Sequence, residues 1–152
     1  MSLTSMMTDR KIWPFFWTQF MGAFNDNFYK NALVILVTYK GIQVGGLSVE
    51  QMVALSAGIF ILPFFLFSVT AGQMADKYSK QVLIRWVKVA EIAIMGLATV
   101  GFITENILFL LGVLFLMGLQ SALFGPVKYG VLPQLAPSES ELIQVNALVQ
   151  MG

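Results

Sequence analysis

The sequence predicts an all-α membrane protein, and three observations support that fold class. Of its 152 residues, 57% are hydrophobic and only 11% are charged. Several apolar runs are long enough to cross a bilayer, and none alternates between polar and apolar residues as barrel strands do. The chain has neither Cys nor His, which excludes disulfides and the commonest metal ligand and general base. A net charge of +1 gives no indication of nucleic-acid binding.

Four membrane spans follow one another in the sequence, and a fifth helix begins after them. The predicted spans cover about residues 12–39, 51–73, 82–103 and 106–133. The segments between them are short, and the first is rich in glycine. Ser138 and Glu141 have the spacing of a capping box, which predicts a helix from about residue 139. We therefore expect one partial helical bundle over residues 1–152, with no second domain present.

Basic residues lie mainly at one end of the predicted spans. Lys40 is at the opposite end, and the residues on the basic side are Arg10, Lys11, Lys77, Lys80, Arg85, Lys88 and Lys128. Cytoplasmic loops of membrane proteins carry an excess of Lys and Arg. The distribution predicts a cytoplasmic N-terminus and a cytoplasmic loop between spans two and three. Glu91 lies about one turn beyond Lys88 on span three, which predicts a local pair with a structural role.

The first span contains the polar stretch GAFNDNFYKNAL from Gly22 to Leu33. At about 100° per residue, a polar stripe collects on one helix face and an aromatic row on the other. The stripe comprises Gln19, Gly22, Ala23, Asp26 and Lys30, and the aromatic row comprises Trp13, Trp17, Phe20, Phe24 and Phe28.

A carboxylate in the middle of a membrane span is unfavourable, because inserting it costs at least about 2.5 kcal/mol. Its presence therefore indicates a function or a partner within the protein. We interpret the stripe as the lining of a polar cavity, with Gln19, Asp26, Asn27 and Lys30 as candidate substrate contacts. Asn27 lies off the centre of the stripe, so helix packing is an alternative for it. A second interpretation is that Asp26 and Lys30, spaced i and i+4, only neutralise each other.

Span four has a second polar face near its end. Its small residues, Gly118, Ser121 and Gly125, are predicted to serve helix packing. Lys128 follows on the same face and could reach a carboxylate on span one or an anionic headgroup. The alternative is a lysine whose ammonium extends to the membrane interface.

The segment GQMADKYSKQ, between spans two and three, resembles the loop signature of the major facilitator superfamily, G-x-x-x-D-[RK]-x-G-[RK]-[RK]. The matching residues are Gly72, Asp76, Lys77 and Lys80. Ser79 and Gln81 depart from the pattern. In this signature the glycine is expected to allow close helix approach, and the basic residues are expected to pair across the loop.

Three longer strings resemble one branch of that superfamily, the lysophospholipid transporter family, which includes transporter domains fused to acylglycerophosphoethanolamine acyltransferases. They are QFMGAFNDNFYKNAL in span one, FGPVKYGVLPQL at the end of span four and NALVQMG in the fifth helix. The resemblance implies that the chain is the N-terminal part, about four and a half helices, of a carrier with two six-helix bundles.

The resemblance also implies a function. Such a protein is a multi-pass carrier of the bacterial inner membrane that moves lysophospholipid, chiefly lysophosphatidylethanolamine, from the outer to the cytoplasmic leaflet for reacylation. Its implied partners are the lysophospholipid, the bilayer, the second bundle and a fused or associated acyltransferase. It uses no cofactor or metal. The chain is not expected to be an enzyme, because without His it cannot contain the H-x-x-x-x-D motif of those acyltransferases.

By the same resemblance, Asp26 and Lys128 match charged residues of the family and are expected to form a charge pair across the bundle. A zwitterionic headgroup would compete for both charges. Two other functions remain open at this stage. One is a carrier of the same fold for another amphiphile or drug, and the other is the membrane domain of a larger acyltransferase fusion.

Overall fold

A computed structural model describes residues 10, 12–41, 44–136 and 138–151, with the side chains of residues 148 and 151 left aside. Lys11 lies outside the described residues. The structure has five helices: α1 (Ile12–Lys40), α2 (Val49–Lys77), α3 (Lys80–Thr104), α4 (Ile107–Leu135) and α5 (Glu139–Met151). No strand occurs in the described part of the chain. The all-α prediction is confirmed, and the four predicted spans agree with α1–α4 to within four residues at each end.

Local sequence signals account for several helix ends. At the start of α2, the Ser48 hydroxyl accepts from the Gln51 backbone at 3.3 Å, and the Gln51 side chain accepts from the Ser48 backbone at 2.9 Å. This complete capping box satisfies two amide groups that the first turn leaves free. At the start of α5, the Ser138 hydroxyl accepts from the Glu141 backbone at 3.4 Å, as its spacing predicts. Between α3 and α4 the chain reverses through Glu105, which has a left-handed φ of 52°.

Three of the described helices are long and apolar enough to cross a membrane, judged by length and composition: α2, α3 and α4. Helix α1 has 29 residues, the same length as α2 and α4, but it does not join them. Its polar residues between 25 and 31 lower its mean hydropathy. The first predicted span is therefore confirmed as a helix, while its passage through the membrane remains a prediction.

The chain divides into two compact units. The central unit comprises residues 29–127, and the terminal unit comprises residues 1–28 with 128–152. The core of the central unit is formed by α1, α2, α3 and α4. Its fully buried large side chains include Tyr29, Leu33, Met52, Leu110, Leu114 and Met117. The Tyr29 hydroxyl donates to the Leu110 carbonyl oxygen at 2.7 Å, which satisfies a polar group that burial would otherwise leave without a partner.

The terminal unit contains the first part of α1, the end of α4 and all of α5. Its buried apolar side chains are Ile12, Phe15, Leu132, Ala136, Val145 and Val149. Along one face of α1 the aromatic side chains form a continuous row, with neighbouring ring centroids between 5.4 and 6.5 Å apart. The rings towards the end of this row are well exposed, Phe24 at 58% and Phe28 at 60%. Exposed aromatic rings of this kind suit contact with lipid.

Candidate functional site

The polar stripe of α1 and the aromatic row differ in exposure within the terminal unit. Gln19, Gly22, Ala23 and Asp26 are half-buried, whereas Trp17 is 39% exposed and Phe24 and Phe28 are more exposed still. The helix therefore presents its aromatic side outwards and keeps its stripe partly covered. This arrangement is the one expected when a polar stripe faces protein or a cavity and an apolar face meets hydrocarbon.

Two other candidates on α1 have partners of a different kind. The Asn27 amide donates to the Ala23 carbonyl oxygen of its own helix at 2.9 Å, and its side chain is exposed. Lys30 belongs to the central unit, where its ammonium lies 4.4 Å from the centroid of the Phe60 ring. An aromatic face stabilises a desolvated ammonium by roughly 2 kcal/mol. The Asn27 contact is local to its own helix, whereas the Lys30 contact joins α1 to α2 and is not indicated by the spacing of the sequence.

Lys128 lies in the terminal unit, as does Asp26. Its side chain is half-buried, and its ammonium is 5.6 Å from the centroid of the Tyr129 ring. The same unit contains a buried polar atom that the sequence reasoning missed. Among the described residues, Oε1 of Gln144 on α5 has no hydrogen-bond partner. A buried acceptor without a donor is costly, so this unit holds an unused acceptor as well as the charges of Asp26 and Lys128.

The small residues of span four do not share one role. A Cβ added at Gly118 would lie 2.2 Å from the Phe60 carbonyl oxygen, so the glycine permits the close contact of α4 with α2. The packing role predicted for Gly118 is confirmed. At Gly125 no described atom lies within 4 Å of the Cβ position, so its packing role stays a prediction. The difference arises because only Gly118 faces the backbone of a neighbouring helix at close range.

The residues of the loop signature lie at the end of α2 and the start of α3. No described atom lies within 4 Å of a Cβ built at Gly72. Gly72 sits on a half-exposed part of α2. No salt bridge recorded among the described residues involves Asp76, Lys77 or Lys80. The Lys77 ammonium lies 5.7 Å from the centroid of the Tyr78 ring. The conformational role of the signature therefore remains a prediction.

The middle of α3 and α4 contains a polar cluster, of which the sequence predicted only the Lys88–Glu91 pair. The Lys88 ammonium donates to Glu91 Oε2 at 2.6 Å, which confirms the local pairing that their spacing suggests. The Gln120 amide of α4 donates to the same oxygen at 3.2 Å, and the Ser121 hydroxyl donates to Gln120 Oε1 at 3.2 Å. Lys88 also lies 5.4 Å from the Phe124 ring centroid. This mid-span cluster neutralises its own charges and joins two helices.

The position of Glu91 could have pointed to this cluster, because a carboxylate within an apolar run needs a partner in the bundle. The interhelical partner could not be identified, since nothing in the spacing relates residue 91 to residue 120. In the part of the chain that the structure describes, no group of three or more acidic, Cys or His side chains is placed to hold a metal ion.

Comparison with known proteins identifies relatives of the chain. Proteins named lysophospholipid transporter LplT from Shigella flexneri serotype 5b and from Escherichia coli strain SE11 are each 30% identical to it over 132 residues. The protein of that name from Salmonella enteritidis PT4 is 29% identical over 135 residues. Each alignment covers 87% of this chain and 30% of the relative, so the chain spans about 30% of the length of these curated relatives.

No protein-family model matches the chain, and no solved structure matches it at comparable significance. The similarity to the transporters extends over most of the chain and includes relatives from three bacterial genera. It agrees with the resemblance of the three sequence strings and is consistent with the major facilitator superfamily. Over most of its length, the chain is a homologue of bacterial proteins named lysophospholipid transporter.

Proposed function

We propose that this chain forms part of a carrier that moves lysophospholipid, chiefly lysophosphatidylethanolamine, from the outer to the cytoplasmic leaflet of a bacterial inner membrane for reacylation. The observation that carries the proposal is the similarity, over 87% of the chain, to proteins named lysophospholipid transporter. Three helices, α2, α3 and α4, are long and apolar enough to span a membrane, which supports a protein that crosses the membrane several times.

Two charged side chains of the terminal unit suit a zwitterionic headgroup. Asp26 and Lys128 are both half-buried, one with a negative and the other with a positive charge. Lysophosphatidylethanolamine carries a phosphate and an ammonium, so a lysine and an aspartate are complementary to it. Hydrogen bonds between charged groups are about twice as strong as neutral ones. We place the phosphate near Lys128 and the ammonium near Asp26.

Competition between the headgroup and an Asp26–Lys128 charge pair would link binding to conformational change. A ligand shifts a conformational equilibrium only through a difference in its interaction with the two states. If the pair forms in one state and the headgroup separates the two charges in the other, the substrate supplies that difference. In this proposal, the cytoplasmic end of α2 and the start of α3 change their contacts between the same two states. The residues concerned are Gly72, Asp76, Lys77 and Lys80.

The proposal is tested in spheroplasts that express the complete protein, with radiolabelled lysophosphatidylethanolamine added outside. The readout is the initial rate at which label becomes inaccessible to extraction by external albumin. Asp26→Asn and Lys128→Gln should each slow this rate about tenfold, since hydrogen bonds to charged groups contribute about 1.5 to 3 kcal/mol. Glu139→Gln is the matched control, because Glu139 is an exposed carboxylate at the start of α5. It should transport like the unmodified protein.

Two results contradict different parts of the proposal. If Asp26→Asn and Lys128→Gln both transport at the wild-type rate, these residues do not form the headgroup site. Lysophospholipid would remain the proposed substrate. No movement of any lysophospholipid by the unmodified protein would overturn the function itself. In that case, uptake of other amphiphiles and drugs by the same cells tests the alternative carrier. The mass of the complete polypeptide tests the acyltransferase fusion.

A further inference from the structure

In the central unit, a lysine of α1 is held on an aromatic ring of α2. The Lys30 ammonium lies 4.4 Å from the centroid of the Phe60 ring, and the lysine side chain is half-buried. No salt bridge recorded among the described residues involves Lys30. The negative face of an aromatic ring attracts an ammonium in this position. We refer to these two side chains as the Lys30–Phe60 pair.

Both members of the pair are fixed against α4. Next to Lys30 in the chain, the fully buried Tyr29 donates its hydroxyl to the Leu110 carbonyl oxygen at 2.7 Å. Phe60 lies so close to α4 that a Cβ added at Gly118 would be 2.2 Å from the Phe60 carbonyl oxygen. The place of the ammonium over the ring is therefore set by the packing of three helices.

The charge of Lys30 has a different kind of partner from the charge of Lys88. The Lys88 ammonium donates to Glu91 Oε2 at 2.6 Å, so a carboxylate neutralises it. A ring attracts an ammonium without bringing an opposite formal charge, and a lysine has three N–H donors. Lys30 therefore keeps a net positive charge on the ring and retains donors for an anionic group.

A contact that only joined α1 to α2 would not need a lysine. Apolar side chains of both helices belong to the same buried cluster, among them Leu33 of α1 and Met52 of α2. An ionisable side chain among apolar helices costs free energy to desolvate, whereas an apolar residue would pack there without that cost. The ammonium on the Phe60 ring therefore indicates that the charge itself is used.

We propose that Phe60 is a positioning residue, which holds the Lys30 ammonium where it contacts the phosphate of the lysophospholipid during transport. The inference rests on the proposed function, and it adds a residue that does not itself touch the headgroup phosphate. The contact with Lys30 belongs to a different step of transport from the contact with Lys128. Holding the ammonium in advance reduces the entropy lost when the phosphate binds.

The test replaces Phe60 in the complete protein with mono-, di- and trifluorinated phenylalanine, introduced by suppression of a nonsense codon. Fluorine withdraws electron density from the ring face and weakens its attraction for a cation, while the volume of the ring changes little. Uptake of radiolabelled lysophosphatidylethanolamine by spheroplasts is measured over a range of concentrations. The apparent KM should rise with each fluorine, to about tenfold for the trifluorinated ring. Vmax should change little, because the interaction is made in the bound state.

The matched control is the same fluorinated series at Phe64, one turn further along α2. The Phe64 ring centroid lies 6.0 Å from that of Phe60. The ammonium groups recorded over rings in the described part of the chain lie over other aromatic residues. The apparent KM should therefore stay constant through the Phe64 series.

Variants of the lysine show whether the ring acts through Lys30. Lys30→Gln should raise the apparent KM about tenfold, and fluorination of Phe60 in that background should have no further effect. Lys30→Arg should preserve the dependence on fluorination, because a guanidinium also stacks on an aromatic face. The fluorinated series changes neither a charge nor much volume, so it gives a result even if Lys30→Gln fails to fold.

Three outcomes overturn the inference. An apparent KM that does not change through the Phe60 series would show that the ring does not position the ammonium for transport. An equal rise in the Phe64 series would assign the effect to the packing of α2. A rise that persists in Lys30→Gln would show that Phe60 does not act through the lysine.

Failure of this inference differs from failure of the proposed function. If the unmodified protein moves lysophospholipid and fluorination of Phe60 has no effect, only the role of the Lys30–Phe60 pair is lost. If the unmodified protein moves no lysophospholipid, the proposed function is overturned and this inference with it.

Discussion

Helix α4 contacts its two neighbours in different ways. At Gly118 it comes so close to α2 that an added Cβ would lie 2.2 Å from the Phe60 carbonyl oxygen. Two residues later, Gln120 lines an apolar cavity between α2, α3 and α4 and donates a hydrogen bond of 3.2 Å to Glu91 of α3. Residues two apart point about 200° apart around a helix. One side of α4 is thus in close backbone contact, while the other is loosely packed and joined by polar groups.

The difference shows two ways of holding membrane helices together. Hydrocarbon provides no hydrophobic drive between apolar helices, so association depends on close van der Waals contact or on interhelical hydrogen bonds. A glycine provides the first, because it lets two backbones approach. A compensated polar cluster provides the second, and it tolerates a cavity beside it. Loosely packed contacts of the second kind leave room for a ligand.

The largest effect should come from breaking the close contact. Gly118→Leu places a branched side chain against the backbone of α2, so the helices must separate. We expect the free energy of unfolding to fall by about 3 kcal/mol, the upper part of the usual range for overpacking. Loss of the monodisperse protein on heating in detergent measures this. Gly112→Ala is the control, because no described atom lies within 4 Å of its Cβ position. Comparable destabilisation by both variants would contradict the proposed importance of the close contact.

An intermediate effect should follow from opening the polar cluster. Glu91→Leu leaves the Lys88 ammonium and the Gln120 amide without their shared acceptor, in a part of the helix that is poor in polar groups. We expect destabilisation of about 2 kcal/mol, below the usual figure for a broken buried pair because Lys88 keeps 25% of its side-chain exposure.

The double variant Lys88→Leu with Glu91→Leu tests the cause of that loss. Removing both charges should restore most of the stability, because an apolar pair of similar size needs no partner. The same heating experiment applies to the single and the double variants. If the double variant is as unstable as Glu91→Leu alone, the loss comes from packing and the cluster is not an electrostatic link.

The smallest effect is expected at an exposed ion pair. Lys40, at the end of α1, pairs with Glu105, after α3, and their side chains are 47% and 48% exposed. Lys40→Gln should lower the free energy of unfolding by less than about 1 kcal/mol, because solvent screens exposed pairs. Melting temperatures measured at low and high salt provide the check. A loss as large as that of Glu91→Leu would show that the environment of the charge does not set the strength of these pairs.

The success of the sequence predictions depended on the distance between the interacting residues. Lys88 pairs with Glu91 within a single turn, and Ser138 caps α5 through Glu141, so spacing alone was sufficient for both. Gly72 and Gly118 are the same residue type in similar apolar surroundings, yet only Gly118 is close to another helix. Whether a glycine lies at a helix contact depends on the rotation and tilt of both helices, which local spacing does not specify.

The sequence by itself determined that this is a membrane protein with an all-helical fold. It also determined the order of the helices and the homology to lysophospholipid transporters. These follow from composition, run length and local spacing, since a segment in hydrocarbon must satisfy its backbone internally. Tertiary structure alone decided that Lys30 lies against Phe60, that Gln120 donates a hydrogen bond to Glu91 and that an apolar cavity lies between three helices. Each of these joins residues distant in the chain. Such contacts are set by how helices pack against one another, because every apolar face is equally compatible with lipid.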